Sequence, residues 1–194
     1  MIIGFDIDGC MTDDNRFKLE QYGKYLYEHG LPEMDLPYGY EYKMSFMSWP
    51  EFQTFFRDHL MEYIENIKPL MYVSEVTHKL HEDGHKIIVC TGRSGGIEQS
   101  ERGEQIRKLT KQWLVENDIY HDELVFTGFP KINYVRSKGC ELFVEDFPET
   151  INDFAKEMPV LIFDNPYNVG YKHENVTRVF SWYDIYRHIK EGKY

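Results

Sequence analysis

The chain has 194 residues, 42% hydrophobic and 28% charged, enough for one ordinary domain core with a small insert. Its 33 acidic and 22 basic residues give a net charge of −11, which argues against wrapping a nucleic acid polymer or an anionic membrane. Three widely spaced cysteines (Cys10, Cys90 and Cys140) argue against a disulfide framework and for reduced thiols in a cytoplasmic protein. No apolar run nears the ~20 residues that span a bilayer, and no secretory leader pattern is visible.

Taken in chain order, the first element is a buried strand, "MIIGF" (1–5). Residues 13–68 follow, with helical patterns near 14–28 and 49–67 around a joint rich in Pro, Gly and Tyr. The second helix has a legible start: Ser48 as N-cap, Pro50 in the first turn and Glu51 completing S-x-x-E. From residue 69 onward, helical and strand patterns alternate. The strands are "HKIIVCT" (85–91), "ELVFTG" (123–128), "CELFVE" (140–145), "PVLIFD" (159–164) and "VTRVF" (176–180). The helices are 69–83, 97–117, 148–157 and 182–191. Most of the strands are continuous apolar runs, as suits strands covered on both faces of a parallel sheet. The expectation is an α/β fold with a doubly wound, Rossmann-like parallel sheet core and a small helical cap. Residues 1–12 and 69–194 form the core, and 13–68 form the cap.

The stretch "IIGFDIDGCMTD" (2–13) carries the chemistry. A strand alternates its side chains, so Asp6 and Asp8 point the same way. Two unit charges about 4 Å apart interact by roughly 4 kcal/mol at an effective dielectric near 20, and an incoming phosphate adds to the repulsion. A divalent cation balances them, and hard oxygen ligands favour Mg²⁺. Glu145 and Asp146 end another strand. In a parallel sheet the carboxyl ends of neighbouring strands converge on one crevice, so these acids can meet Asp6 and Asp8. Thr91, Gly92, Arg93 and Ser94 close "IIVCTGRS", where a hydroxyl and backbone N–H groups can hold phosphate oxygens. Lys131 opens a short helix in "GFPKINYV" and can neutralise a nucleophilic carboxylate.

In order, "DIDG", hydrophobic-"TG", Lys131 and "ED" resemble the four motifs of the haloacid dehalogenase-like superfamily of aspartate-dependent phosphohydrolases. The segment between the first two motifs resembles that superfamily's C1-type cap. The helical cap, "FVEDFPETI" and "LIFDNPYN" are most similar to the cytosolic 5′(3′)-deoxyribonucleotidase family and its bacterial and phage relatives. The chain departs from those relatives in having Glu-Asp rather than Asp-Asp in the last motif. The resemblance implies a phosphomonoesterase with Asp6 as nucleophile and Asp8 as acid and base. It implies Mg²⁺ on Asp6, the Asp8 carbonyl and Asp146, with Glu145 assisting. Thr91 and Gly92 would hold the phosphoryl group and Lys131 would stabilise its charge. The implied substrate is a small phosphorylated metabolite, first a nucleoside monophosphate. A sugar phosphate, or a non-catalytic phosphate- or metal-binding regulator, are the alternatives.

Duller readings compete at several positions. Arg93 either contacts substrate phosphate or pairs with acidic neighbours. Cys90 and Arg93 are too close for a cysteine-phosphatase loop, and Met11 stands where a calcium-binding EF-hand loop needs glycine. His78, His81 and His85 are expected at a helix end and strand start rather than on zinc. Most of the cap aromatics are expected to form its small core. Tyr42, Phe46 and Trp49 are the candidates to face the substrate.

Overall fold

The computed structural model describes residues 1–32, 48–94, 97, 99–128 and 130–194, without the side chains of Trp49 and Phe52. Six parallel strands form one sheet in the order β3-β2-β1-β4-β5-β6. They are β1 (Ile2–Phe5), β2 (Lys86–Thr91), β3 (Glu123–Phe126), β4 (Leu142–Glu145), β5 (Val160–Phe163) and β6 (Val176–Val179). Each lies inside one of the six apolar runs. β1 sits centrally, with Phe5 beside Val89 of β2 and beside Val144 of β4. The chain winds outward from β1 in both directions, so the crevice at the switch of strand order lies beside the carboxyl end of β1.

Alternate strand residues supply two cores. Ile3, Phe5, Ile87, Val89, Leu142 and Val144 pack on one face with α3 (Val73–Glu82), α4 (Glu101–Glu116) and α7 (Trp182–Glu191). Ile88, Cys90, Phe143, Val160 and Ile162 pack on the other with α5 (Ile132–Ser137) and α6 (Pro148–Phe154). All three cysteines are free and buried. No helix is long and apolar enough to cross a membrane, among the described residues.

Between β1 and α3 stand α1 (Asp14–Glu28) and α2 (Trp49–Asn66). Ser48 and Glu51 form the expected capping box at the start of α2. The chain entering and leaving this pair is joined: Thr12 bridges Pro69, and Leu70 N–H donates to the Met11 carbonyl at 2.8 Å. That pairing shortens the third helix. The pattern starts at residue 69, but α3 starts at Val73, after Pro69 is held in the bridge and Tyr72 turns to a left-handed φ of 69°. α4 likewise starts four residues late, where Ser100 accepts from Gly103 N–H as N-cap.

The described cap aromatics pack on one another. Phe17 meets Tyr63 at 5.1 Å between ring centroids, and Phe55 meets Tyr22 at 5.2 Å and Tyr25 at 5.6 Å. This matches the expected small core. Tyr42, Phe46 and the Trp49 side chain lie outside the described residues.

Candidate active site

Strand termini position the acids. β1 ends at Phe5, and Asp6 N–H still donates to the Val144 carbonyl at 3.0 Å, so Asp6 is fixed beside β4. β4 ends at Glu145, with Asp146 next. Asp6, Glu145 and Asp146 are buried, and each offers one carboxylate oxygen within 4.8 Å of the others. Lys131, just before α5, donates from Nζ to Asp6 Oδ1 at 2.7 Å and Glu145 Oε2 at 3.1 Å. Glu145 Oε1 accepts from the N–H groups of Asp146 and Phe147 at 3.2 and 3.3 Å. The glutamate in the last motif is therefore fully engaged.

Three carboxylates face one ammonium here. Burial, with Glu145 and Asp8 nearby, pushes Asp6 from 3.8 up to about 7 despite Lys131. Burial, then Glu145 and Asp6, pushes Asp146 well above the ordinary carboxylate range. Burial opposes the charge on Lys131, but Asp6 and Glu145 hold its ammonium well above the usual value. The site is thus short of positive charge, and its donors are hard oxygens. A divalent cation of the Mg²⁺ kind fits both features.

Asp8 is held apart from this cluster. Arg93 donates from Nη2 to Asp8 Oδ1 at 2.6 Å, and the Tyr63 hydroxyl of α2 donates to the same oxygen at 2.6 Å. Burial would raise the Asp8 carboxyl, but Arg93 and Tyr63 outweigh it and hold it below the ordinary range. Of the two readings open for Arg93, the structure shows the pairing with an acidic neighbour. Thr91, at the end of β2, is buried, and its Oγ1 accepts from Arg93 N–H at 3.2 Å. Its own O–H remains able to donate. Gly92 follows it in the same turn.

The turn after Asp8 admits only glycine. Gly9 has φ +78°, and a Cβ there would lie 2.0 Å from Asp146 Oδ2 and 2.6 Å from the Tyr167 hydroxyl. Gly9→Ala is therefore expected to lower kcat/KM by about 100-fold and destabilise the fold by about 1–3 kcal/mol. Steady-state kinetics with a denaturant melt checks both.

Several supporting residues lie outside the sequence reading. Asn165 Nδ2 donates to the Gly9 carbonyl at 2.9 Å, and Trp182 Nε1 to the Cys10 carbonyl at 2.9 Å. Asn168 Nδ2 donates to the Asp146 carbonyl at 2.8 Å, and the Tyr167 hydroxyl donates to Asp146 Oδ2. Three of these four belong to "DNPYN", a polar turn at the carboxyl end of β5. Its place beside β4 was the available signal. Cys10 packs here too, its Sγ 3.9 Å from Asp146 Oδ1.

His78 and His81 lie in α3 and His85 just before β2. His78 meets Asp118, His81 stacks on Tyr120, and His85 lies near the Met1 amine. A cavity of about 310 Å³ adjoins Lys131 between α5 and α6. Glu149 and Asp153 line it, which suits it poorly to phosphate.

Comparison with known proteins agrees with this fold. Nucleotidase CA_C3379 of Clostridium acetobutylicum is 24% identical over 186 residues, covering 95% of this chain and 91% of that protein. The haloacid dehalogenase-like family hydrolase SP0104 from Streptococcus pneumoniae superposes with a TM-score of 0.62 at 12% identity, covering 97% of each chain. A predicted phosphatase from Clostridium acetobutylicum superposes with a TM-score of 0.63 at 16% identity, covering 98% of each. At these identities the two solved structures establish the fold alone. The profile described as "5' nucleotidase, deoxy (Pyrimidine), cytosolic type C protein" matches residues 1–193. The chain is accordingly a haloacid dehalogenase-like phosphoric monoester hydrolase and belongs to the cytosolic type C 5′ nucleotidase family.

Proposed function

We propose that the protein is a Mg²⁺-dependent, cytoplasmic nucleotidase that hydrolyses nucleoside monophosphates through an aspartyl-phosphate on Asp6. The observation that carries this is the Lys131-bridged cluster of Asp6, Glu145 and Asp146, with Asp8 held separately beside it. One carboxylate is placed to attack, and a second is placed to move a proton. Residues 13–68 act as the cap that covers the reacting groups.

A carboxylate oxygen of Asp6 bonds to phosphorus as the ester P–O bond breaks. Asp8, a carboxylate in the free protein, takes up a proton from solvent as the substrate binds and gives it to the departing oxygen, releasing the alcohol. Asp8, again a carboxylate, takes a proton from water as the water oxygen bonds to phosphorus and the Asp6–phosphorus bond breaks. Phosphate leaves, Asp6 is again a carboxylate, and Asp8 returns its proton to solvent. The Thr91 hydroxyl and Gly92 N–H hold the phosphoryl oxygens, and Lys131 stabilises charge on them and on Asp6. Asp6, the Asp8 carbonyl and Asp146, with Glu145 assisting, would hold Mg²⁺, which would supply positive charge that offsets the crowded acids and the phosphate.

Phosphate release from a panel of nucleoside 5′- and 3′-monophosphates, deoxy and ribo, beside sugar phosphates tests the substrate, with Mg²⁺ or with chelator. Release from nucleoside monophosphates that needs Mg²⁺ is expected. Faster turnover of sugar phosphates overturns the substrate, and equal rates in chelator overturn the metal.

The acids also predict a pH effect. Asp6 rises from 3.8 to about 7 on folding, and Asp146 rises too. The folded, metal-free protein therefore binds protons that the unfolded chain releases. For Asp6 that stabilisation is whole below about pH 4 and is lost as pH rises through about 7, by at most about 1.4 kcal/mol per pH unit; Asp146 contributes with the same sign. Mg²⁺ then has more repulsion to relieve at pH 8 than at pH 6. The rise in Tm on adding Mg²⁺, read by scanning fluorimetry, is expected to be larger at pH 8.

A further inference from the structure

The grip on Asp8 is lopsided. Oδ1 takes Arg93 Nη2 at 2.6 Å, Arg93 Nε at 3.0 Å and the Tyr63 hydroxyl at 2.6 Å. Among the described residues, Oδ2 takes the same Nε alone, at 3.0 Å. The Arg93 side chain has 0% exposure, whereas that of Asp8 has 26%. The guanidinium carbon lies 5.4 Å from the centroid of the Tyr63 ring and 5.6 Å from that of Trp113. Arg93 Nη1 reaches Thr110 Oγ1 at 3.4 Å. A guanidinium enclosed on all these sides offers no surface to a substrate. Its reach ends at Asp8.

Tyr63 is held in turn. Its hydroxyl lies 2.9 Å from Thr12 Oγ1, which accepts from Gly9 N–H at 3.2 Å. With Tyr63 donating to Asp8, the Thr12 hydroxyl donates to Tyr63 at 2.9 Å in preference to the more distant Ile7 carbonyl at 3.4 Å. The donors then run one way, from Gly9 N–H through Thr12 and Tyr63 to Asp8 Oδ1, and each bond polarises the next.

We propose that Arg93 and Tyr63 are positioning residues for proton transfer: they clamp Asp8 through Oδ1 and leave Oδ2 to pass the proton. This rests on the phosphomonoesterase reading above. In the step they serve, Asp6 bonds to phosphorus, the ester P–O bond breaks, and the proton on Asp8 Oδ2 goes to the departing oxygen. An aspartate free to rotate presents that oxygen to the leaving group only part of the time. The clamp removes the freedom without touching the substrate.

Aryl phosphates graded from p-nitrophenyl to unsubstituted phenyl test this, because a good leaving group needs little help from an acid. The measurement is log kcat/KM against leaving-group pKa for wild type and Tyr63→Phe. Loss of the hydroxyl is expected to lower the p-nitrophenyl phosphate value by no more than about 3-fold and the phenyl phosphate value by about 10- to 30-fold, steepening the line. Arg93→Lys keeps a charge but loses the fork and is expected to steepen it too. Thr12→Val, which removes the hydroxyl behind Tyr63 and leaves the ring in place, gives the same change if Tyr63→Phe folds poorly. A purely structural or substrate-binding role shifts the line without tilting it. Parallel lines, or an unchanged line, in an active enzyme overturn the clamp alone. A wild type that releases phosphate from neither this series nor any nucleoside monophosphate overturns the phosphomonoesterase reading, and the clamp with it.

Discussion

Asp6→Asn abolishes phosphate release, with an expected fall in kcat of about 10⁵-fold, the scale on which removing a nucleophile acts. The fold survives. An amide oxygen still accepts from Lys131 Nζ, and Lys131 keeps Glu145 at 3.1 Å. The substitution also removes one of three crowded acids, and the one pushed up to about 7 by burial. The variant's Tm is therefore expected to equal or exceed that of wild type at pH 8, with the gain shrinking toward pH 6. Kinetics give the first half of the result and a melting series gives the second. Turnover within tenfold of wild type would remove Asp6 from the role of nucleophile.

Lys131→Met strikes both activity and stability. The ammonium is buried and carries two ion pairs, to Asp6 and Glu145. Without it, three buried acids face one another with no neutralising side chain among them. Breaking one partner of such a buried group costs about 3–5 kcal/mol, because the charges left behind are uncompensated. The remaining acids can take up protons instead, so the loss is expected to be larger at pH 8 than at pH 6. Loss of a group that stabilises the transferring phosphoryl costs kcat a further 10²–10³-fold, on the order of other oxyanion stabilisers. Denaturant melts at the two pH values check the first figure. Assays at saturating substrate on the folded fraction check the second. A variant as stable as wild type at pH 8 would mean the acids are not crowded as the geometry has them.

Most of the strands were legible because they are apolar along almost their whole length, β6 with Thr177 and Arg178 being the exception. A strand covered on both faces shows no alternation to confuse with a helix. Helix starts were less legible. The apolar spacing runs on through Leu70, while the Thr12–Pro69 bridge and the left-handed Tyr72 hold the chain out of helix until Val73. Among the acids and their counter-ion, Asp6, Asp8, Lys131, Glu145 and Asp146 could be read because each stands at the carboxyl end of a strand or in the loop that follows it, and a parallel sheet gathers such positions. Their supports could not. Tyr63 sits in an aromatic helix at core spacing, and nothing in that spacing shows that its hydroxyl reaches Asp8, 55 positions earlier. For Arg93 the sequence leaves the side chain's direction open, and only the packing of Tyr63 and Trp113 around it decides between substrate and Asp8.

The bonds from Asn165 to the Gly9 carbonyl and from Trp182 to the Cys10 carbonyl join positions 156 and 172 apart in the chain. A ribosome makes the aspartates of β1's end well before these fasteners. At about 5–20 residues per second, the interval is roughly 10–30 s. Throughout that time the turn after Asp6 lacks these two bonds. The site is thus complete only once Trp182 has been made, and a chain cut short before it lacks both fasteners.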